Sequence, residues 1–129
     1  MSRCIWRSFY LFFADPYSAA NHVRCCVEAF CDIHVGPIPP KPDGTPNFVS
    51  LDTRLGKLPA NLVHHFDSLM ALKWMGNAGS HGYDLTHSEV VDTYAILSKV
   101  LRDLYDPPPE DISVSVSTII ANRGPAPRP

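Results

Sequence analysis

The sequence lacks a strong charge of either sign. It has 11 lysines and arginines and 13 aspartates and glutamates among 129 residues, so its formal net charge is −2. A chain-wide basic field, which would attract nucleic acid or an anionic membrane from a distance, is therefore excluded. Binding to either would have to depend on a local patch.

A long hydrophobic run is also missing. The longest uncharged apolar run covers only residues 9–14, and Arg7 interrupts the residues before it. This run is shorter than the apolar core of a signal peptide, roughly 7–15 residues, and far shorter than the about 20 residues that cross a bilayer. We therefore predict a cytoplasmic protein without a membrane segment. With 45% hydrophobic and 19% charged residues, the composition is typical of one globular domain.

The four cysteines form neither a disulfide framework nor a zinc motif. Cys25 and Cys26 are adjacent, and Cys4 is remote from the others. Cys31 and His34 lie one helical turn apart and offer two metal ligands, but no second pair has the spacing of a zinc site. We predict reduced cysteines that pack as small apolar residues, with no metal and no other cofactor.

Hydrophobic spacing and capping residues predict a helical protein. Residues 3–13 form a first helix, and Asp15 followed by Pro16 is a typical start of a second. Gly36 ends this second helix. Its apolar residues recur every three or four positions, as on one buried face: Tyr17, Ala20, Val23, Val27, Phe30 and Ile33. Residues 35–47 are rich in proline, which predicts a stiff connector or, alternatively, a ligand for a proline-binding partner.

The second half of the chain continues the helical pattern. We predict a short helix over residues 51–58 and a third long helix over residues 60–75. Thr86 and Glu89 form a capping box, which starts a last long helix that runs to Tyr105, before three prolines stop it. The third long helix is expected to bury Leu62, Phe66, Leu69, Met70 and either Trp74 or Met75.

The residues after the three prolines follow a different pattern. Apolar and polar residues alternate over 112–120, which predicts a short strand or a partner-binding segment. Residues 123–129 have the composition of a disordered end. We therefore divide the chain into a helical domain, residues 1–106, and a proline-rich, partly disordered C-terminal tail, residues 107–129.

Four motifs in a fixed order resemble a known family. They are Pro-Tyr-Ser-Ala-Ala-x-x-x-Arg-x-x-x-Glu in residues 16–28, Leu-x-x-Arg-Leu-x-x-Leu in 51–58, Leu-Lys-x-x-Gly-Asn-x-x-x-His-Gly in 72–82 and Leu-x-x-Leu-Tyr in 101–105. Over residues 8–106 the chain resembles domain-of-unknown-function family 4145, a helical branch of the HEPN superfamily often found beside restriction and defence systems. The resemblance implies an all-α, up-and-down bundle of four to five helices that forms a homodimer.

The resemblance also implies a site at the corner between the last two long helices. In catalytically active HEPN proteins an arginine, a neighbouring polar residue and a histidine act together as a metal-independent endoribonuclease. On this chain Asn77 matches the polar position and His81 the histidine, whereas Gly76 stands at the arginine position. Lys73, about one helical turn upstream, is the nearest cation, and we expect it to point into the same corner.

Each of these residues also has a simpler interpretation. Arg24 and Glu28 lie one turn apart, which fits a surface ion pair, whereas the resemblance implies a supporting polar network around the corner. Asn77 and His81 also fit a role as caps of the third helix, with Asn77 left-handed and Gly79 closing the turn.

Two functions follow from the resemblance. In the first, a HEPN-like dimer of a prokaryotic or phage defence or toxin system binds RNA or a partner protein, with weak or no catalysis. In the second, two His81 corners meet at the dimer interface and form a composite, metal-independent endoribonuclease site. The missing arginine removes a bidentate phosphate contact and favours the first function. If the site is catalytic, Gly76→Arg is expected to raise activity, provided that position 76 does not need a positive φ.

The sequence also offers candidate surfaces for partners. Aromatic residues crowd the N-terminal segment, residues 6–13, beyond what one short helix normally buries, so this segment is the candidate dimer interface. The proline-rich loop and the C-terminal tail are candidates for contacting a protein partner.

Overall fold

All regular secondary structure is helical in the residues that the computed structural model describes, 1–106 and 113–124. The helices are α1 (Ser2–Leu11), α2 (Pro16–His34), α3 (Leu51–Leu55), α4 (Phe66–Ala78), α5 (His87–Tyr105) and α6 (Ser113–Asn122), and a 3₁₀ turn, Val63–His65, precedes α4. The predicted all-α fold is confirmed. None of these helices is long and apolar enough to cross a membrane.

The long helix α2 has the boundaries that its sequence predicts. The Asp15 carboxylate accepts hydrogen bonds from the backbone N–H groups of Tyr17 and Ser18, at 3.1 and 3.2 Å, and so fixes the first turn. At the other end Gly36 has a φ of +109°, and its N–H donates to the carbonyl of Cys31. Because glycine adopts this conformation without a steric penalty, the helix can end there.

Four helices, α1, α2, α4 and α5, form an up-and-down bundle. The helix α2 packs along both α1 and α4 and also contacts α5. Within the described residues α1 and α4 do not pack extensively against each other. The core between the helices is mainly aliphatic and consists of Val23, Cys26, Val27, Phe30, Cys31, Leu51, Leu55, Leu58, Leu62, Leu69, Leu72, Leu97 and Val100.

A buried serine attaches α1 to the rest of the bundle. The Ser8 hydroxyl, which is fully buried, donates a hydrogen bond to the carbonyl of Ala19 at 2.7 Å. Its oxygen lies 2.8 Å from the hydroxyl of Tyr94, which therefore acts as the donor in that pair. Ser8 thus links α1, α2 and α5 at one point.

The side of the bundle between α1 and α5 remains open. A groove of about 280 Å³ runs between the two helices, and its walls include Ile5, Phe9, Leu97, Ser98 and Leu101. We call it the α1/α5 groove. The outer face of α1 next to it is also uncovered, since four aromatic side chains there are 47–86% exposed: Trp6, Phe9, Tyr10 and Phe13.

The third long helix begins later than the predicted residue 60. The N–H groups of Leu62 and His65 donate to the carbonyls of Pro59 and Leu62, at 2.8 and 3.0 Å. Such bonds to the third residue back give a tighter turn than the α form, so α4 starts only at Phe66. The short helix α3 also ends earlier than predicted, at Leu55.

Of the two alternatives predicted for residues 112–120, the strand is wrong, because Ser113–Asn122 forms the helix α6. The Ser117 hydroxyl donates to the carbonyl of Ser113, one turn back, at 2.8 Å. No strand exists among residues 1–106 and 113–124 with which this segment could pair. Residues 107–112 and 125–129, which include the three prolines and most of the predicted disordered end, lie outside the described residues.

Candidate functional site

The corner between α4 and α5 is a chain of tight turns. The N–H of Gly79 donates to the carbonyl of Met75 at 3.2 Å, and the N–H of Ser80 donates to that of Asn77 at 2.9 Å. Gly82 then takes a φ of +76°, and this conformation, which favours glycine, redirects the chain. The predicted capping box follows, with the Thr86 backbone N–H donating to the Glu89 carboxylate at 2.8 Å.

The side chains of Asn77 and His81 line the same surface pocket. It has a volume of about 410 Å³, and Trp74, Ala78 and Tyr83 complete its lining. No residue in the described parts of the chain hydrogen-bonds to the side-chain amide of Asn77 or the imidazole of His81. Both groups are therefore available to a ligand. We call this the corner pocket.

Two exposed aromatic residues stand at the corner pocket, and the sequence did not predict their role. Trp74 is 59% exposed and Tyr83 is 68% exposed, although Trp74 was one of two alternatives for the core. The spacing of Leu69, Leu72 and Gly76 shows why Trp74 points outward. These three residues recur every three or four positions, and Trp74 falls between them on the other side of the helix. No sequence pattern indicated Tyr83.

Lys73 does not belong to the corner pocket, contrary to expectation. Its side chain is buried, and the ammonium Nζ forms an ion pair with the Asp52 carboxylate of α3. The same Nζ lies 3.9 Å from the centre of the Trp74 ring, as in a cation–π contact. Adjacent residues on a helix point in directions about 100° apart, so Lys73 faces α3 while Trp74 faces the pocket.

Gly76 does not face the corner pocket either. A Cβ atom at this position would lie 2.3 Å from the Cβ of Arg24 and 3.2 Å from the carbonyl oxygen of Ala20, both on α2. At Gly79 a Cβ would lie 2.5 Å from the carbonyl oxygen of Tyr17. We call this contact between the two glycines and the backbone of α2 the α2/α4 seam. An arginine at position 76 would run into α2, so the expectation that Gly76→Arg restores a phosphate clamp is wrong for steric reasons.

The ion pair of Arg24 and Glu28 lies outside the corner pocket. The two side chains are 3.1 Å apart and partly exposed, and they line a separate hollow of about 300 Å³ with Asp32, Phe48 and Arg54. The Arg24 Nε atom is buried without a hydrogen-bond partner within the part of the chain that the structure describes. The Cβ of Arg24 approaches α4 at Gly76. The pair therefore does not surround Asn77 and His81.

The capping interpretation of Asn77 is not supported by its backbone. Asn77 lies inside α4, and Gly79 has φ and ψ of −59° and −22°, which is the right-handed region. The left-handed residue of the corner is Gly82 instead. His81 is exposed and follows the end of α4 by three residues.

The cysteines and acidic residues offer no metal centre in the described part of the chain. No group of three or more His, Cys, Asp or Glu side chains there is arranged to hold a metal ion. The four cysteines are free. Burial raises the pKa of the Cys26 thiol to about 12 and also raises that of Cys31. Both therefore remain protonated at neutral pH and pack as small apolar groups.

Residues 7–121 match the family model described as domain of unknown function (DUF4145). The chain belongs to this family. The searches of curated proteins and of solved structures returned no match. The DUF4145 match contains the corner pocket and most of α6, so α6 belongs to the family domain, whereas the motifs that we identified in the sequence ended before it.

Proposed function

We propose that this DUF4145 protein is a HEPN-like homodimer of a prokaryotic or phage defence or toxin system, which binds single-stranded RNA at the corner pocket with weak or no catalysis. One observation carries the proposal. Asn77 and His81 lie in one pocket between two exposed aromatic side chains, Trp74 and Tyr83.

The lining of the corner pocket suits an unstacked nucleobase. Aromatic rings stack on bases whatever the sequence, and each such contact is worth about 1–3 kcal/mol. The Asn77 amide has two donors and an acceptor carbonyl, which can pair with the edge of a base. Single-stranded RNA is recognised by this combination of stacking and edge hydrogen bonds.

The charges near the corner pocket argue for binding rather than cleavage. Cleavage of RNA by its own 2′-hydroxyl needs a proton acceptor, a proton donor and positive charge for the phosphorane. His81 supplies an imidazole, but no arginine or lysine is among the residues that line the pocket. Lys73 is paired with Asp52, and position 76 faces α2. Phosphate would therefore meet little compensating charge.

The alternative function, a metal-independent endoribonuclease, keeps one observation in its favour, since Asn77 and His81 share a pocket. A composite site would require two such pockets to meet in the dimer. The exposed aromatic face of α1 supports a dimer through α1, whereas α4 and the turn after it line the corner pocket. A dimer through α1 would therefore not by itself join the two pockets, which favours binding over composite catalysis.

The protein provides a matched pair of tryptophans for testing RNA binding. Trp6 and Trp74 are its two tryptophans, and they are 63% and 59% exposed. Fluorescence anisotropy of a labelled single-stranded oligoribonucleotide should report binding that Trp74→Ala weakens about tenfold or more, which corresponds to one lost stacking contact. Trp6→Ala should bind as the wild type does.

The salt dependence of the RNA affinity distinguishes binding in the corner pocket from nonspecific electrostatic attraction to phosphate. Because no cation lines the corner pocket, the affinity should fall little as salt is raised, unlike phosphate-dominated binding. Equal binding by Trp74→Ala and the wild type would place the RNA elsewhere and defeat the proposal. Absence of any RNA binding would also defeat it.

Catalysis is tested with end-labelled RNA in EDTA, which removes adventitious metal-dependent nucleases. We expect no cleavage by the wild-type protein beyond that of a His81→Ala preparation. Cleavage that is present in the wild type and lost in His81→Ala would establish the endoribonuclease alternative.

A further inference from the structure

Three apolar side chains of the helix α6 are exposed to solvent. Val116, Ile119 and Ile120 are 45%, 54% and 70% exposed, and α6 carries no charged residue in its ten positions. In the described part of the chain no other helix packs extensively against it. An isolated helix of this length is marginal in water, so α6 needs a surface to pack against.

The α1/α5 groove is the complementary feature of the same chain. Its walls are mainly apolar, with Ile5, Phe9, Leu97 and Leu101 beside the charged Arg102 and Asp106, and no described helix fills it. It extends along α5 from Tyr94 to Asp106, which is about 18 Å of helix, and the ten residues of α6 are about 15 Å long. The helix and the groove thus match in length and in polarity.

The point where α5 ends determines how α6 can reach a groove. Asp106, the last described residue after α5, itself lines the end of the α1/α5 groove. The connection from there to Ser113 spans at most about 25 Å. Within its own chain α6 does not occupy this groove. The apolar side chains of α6 and the walls of the groove therefore both remain exposed in a single chain. Two copies that meet at the groove ends could exchange their α6 helices and cover both.

We propose that two copies of this chain dimerise by exchanging α6, each helix lying in the α1/α5 groove of the other copy. The inference rests on the homodimer of the proposed function and names the surfaces that form it. The exchange is symmetric, so the interface closes on itself and produces a dimer rather than a chain of copies.

The exposed area is of the size that a stable dimer needs. The four aromatic residues on the outer face of α1 each have a surface of about 150–250 Å², so their exposed parts together offer roughly 500 Å². The three apolar residues of α6 add to this. A typical stable interface buries about 800 Å² on each partner. The α1 face and α6 together approach that size, and neither does so alone.

The experiment is light scattering of the full-length protein and of surface variants. The wild type should have twice the chain mass of 14.3 kDa. Ile119→Glu combined with Ile120→Glu, which places two charges on the apolar face of α6, should reduce the mass to that of one chain. Ser98→Arg, which places a long charged side chain in the groove, should do the same. All these positions are exposed, so helical circular dichroism should be unchanged.

A matched control separates the exchange from a general effect of added charge. Val91 on α5 is 51% exposed and is not among the groove residues, and Val91→Glu should remain a dimer. A wild-type monomer at micromolar concentration would overturn the exchange. A dimer that survives both the α6 variant and Ser98→Arg would also overturn it.

A failure of the α6 exchange can be distinguished from a failure of RNA binding. The corner pocket lies on α4, away from the α1/α5 groove, so the monomeric α6 variant should bind the labelled oligoribonucleotide with the same affinity per chain. Loss of the dimer with RNA binding intact supports the exchange and leaves the pocket proposal standing. Loss of RNA binding in Trp74→Ala with the dimer intact tests the pocket alone.

Discussion

The α2/α4 seam and the α1/α5 groove are two helix contacts in one bundle, and different residues occupy them. In the seam, Gly76 and Gly79 bring α4 so close to α2 that a single added Cβ would meet other atoms at 2.3 and 2.5 Å. In the groove, large side chains such as Phe9 and Leu101 leave about 280 Å³ open between α1 and α5. Glycines at the α2/α4 seam thus let two helices pack closely, whereas the large apolar residues at the α1/α5 groove leave a surface open to solvent.

The largest loss of stability is expected from a substitution in the α2/α4 seam. Gly76→Arg should lower the free energy of unfolding by about 3 kcal/mol, the upper end of the usual cost of overpacking, because even a Cβ there would lie 2.3 Å from the Arg24 Cβ. Chemical denaturation measures it. Gly56→Ala is the control, since a Cβ there meets only ordinary contacts at 3.5 Å. If Gly76→Arg were as stable as Gly56→Ala, the seam would not be close-packed.

The next largest loss of stability is expected when the hydrogen bonds of Ser8, beside the α1/α5 groove, are removed. Ser8→Ala removes the hydroxyl that bonds to the Ala19 carbonyl and to the Tyr94 hydroxyl. It should cost about 1–2 kcal/mol of unfolding free energy, because the buried Ala19 carbonyl and the partly buried Tyr94 hydroxyl each lose a partner. Ser88→Ala, at an exposed serine of α5, should be neutral. Equal stability of the two variants would mean that apolar packing alone attaches α1.

A smaller effect concerns the start of α4, at the far end of the seam. His65 is buried, and its Nε2 has no hydrogen-bond partner among the described residues. Burial lowers the pKa of His65, and the neighbouring His64 lowers it further. In the unfolded chain its pKa is about 6.5. Stability is therefore complete above that value and falls as the pH drops toward the lower folded-state pKa, because the unfolded chain takes up the proton first.

Substitution tests whether His65 causes this loss. Denaturation at several values between about pH 5 and 7 should show a steeper decline for the wild type than for His65→Asn, which cannot take up the proton. His64→Ala, at the exposed neighbour, should keep most of the decline. If His65→Asn and the wild type declined equally, other groups would be responsible.

The smallest effect on stability is expected at the corner pocket. His81→Ala should change the free energy of unfolding by less than about 0.5 kcal/mol, as at most exposed positions. A helix cap would instead lose about 1 kcal/mol. Thermal denaturation distinguishes the two values. A loss at the larger value would return His81 to a structural role and weaken its assignment to a ligand site.

Local chemistry made much of the fold predictable from the sequence. Asp15 and the pair of Thr86 and Glu89 form caps whose hydrogen bonds join residues only two or three positions apart, so the sequence alone indicates them. The site at the Asn77 and His81 corner was instead implied by the family resemblance, and the two side chains line one pocket.

The errors arose where packing between distant segments decides the outcome. Lys73 turned away from the corner because Asp52, 21 positions earlier, offers it a carboxylate. The role of Gly76 depends on how closely α2 approaches, and nothing within α4 reveals that distance. In α6 the alternation of serine with valine is compatible with both a strand and a helix, and the absence of a pairing strand among the described residues decides between them.

The contact between Gly76 and Arg24 also limits which substitutions this chain can accept in evolution. Any residue larger than glycine at position 76 must displace α2, so its substitution has to be preceded or accompanied by a second change on that helix. A single mutation that places an arginine beside Asn77 therefore carries the cost of displacing α2, which a second change on that helix would have to offset.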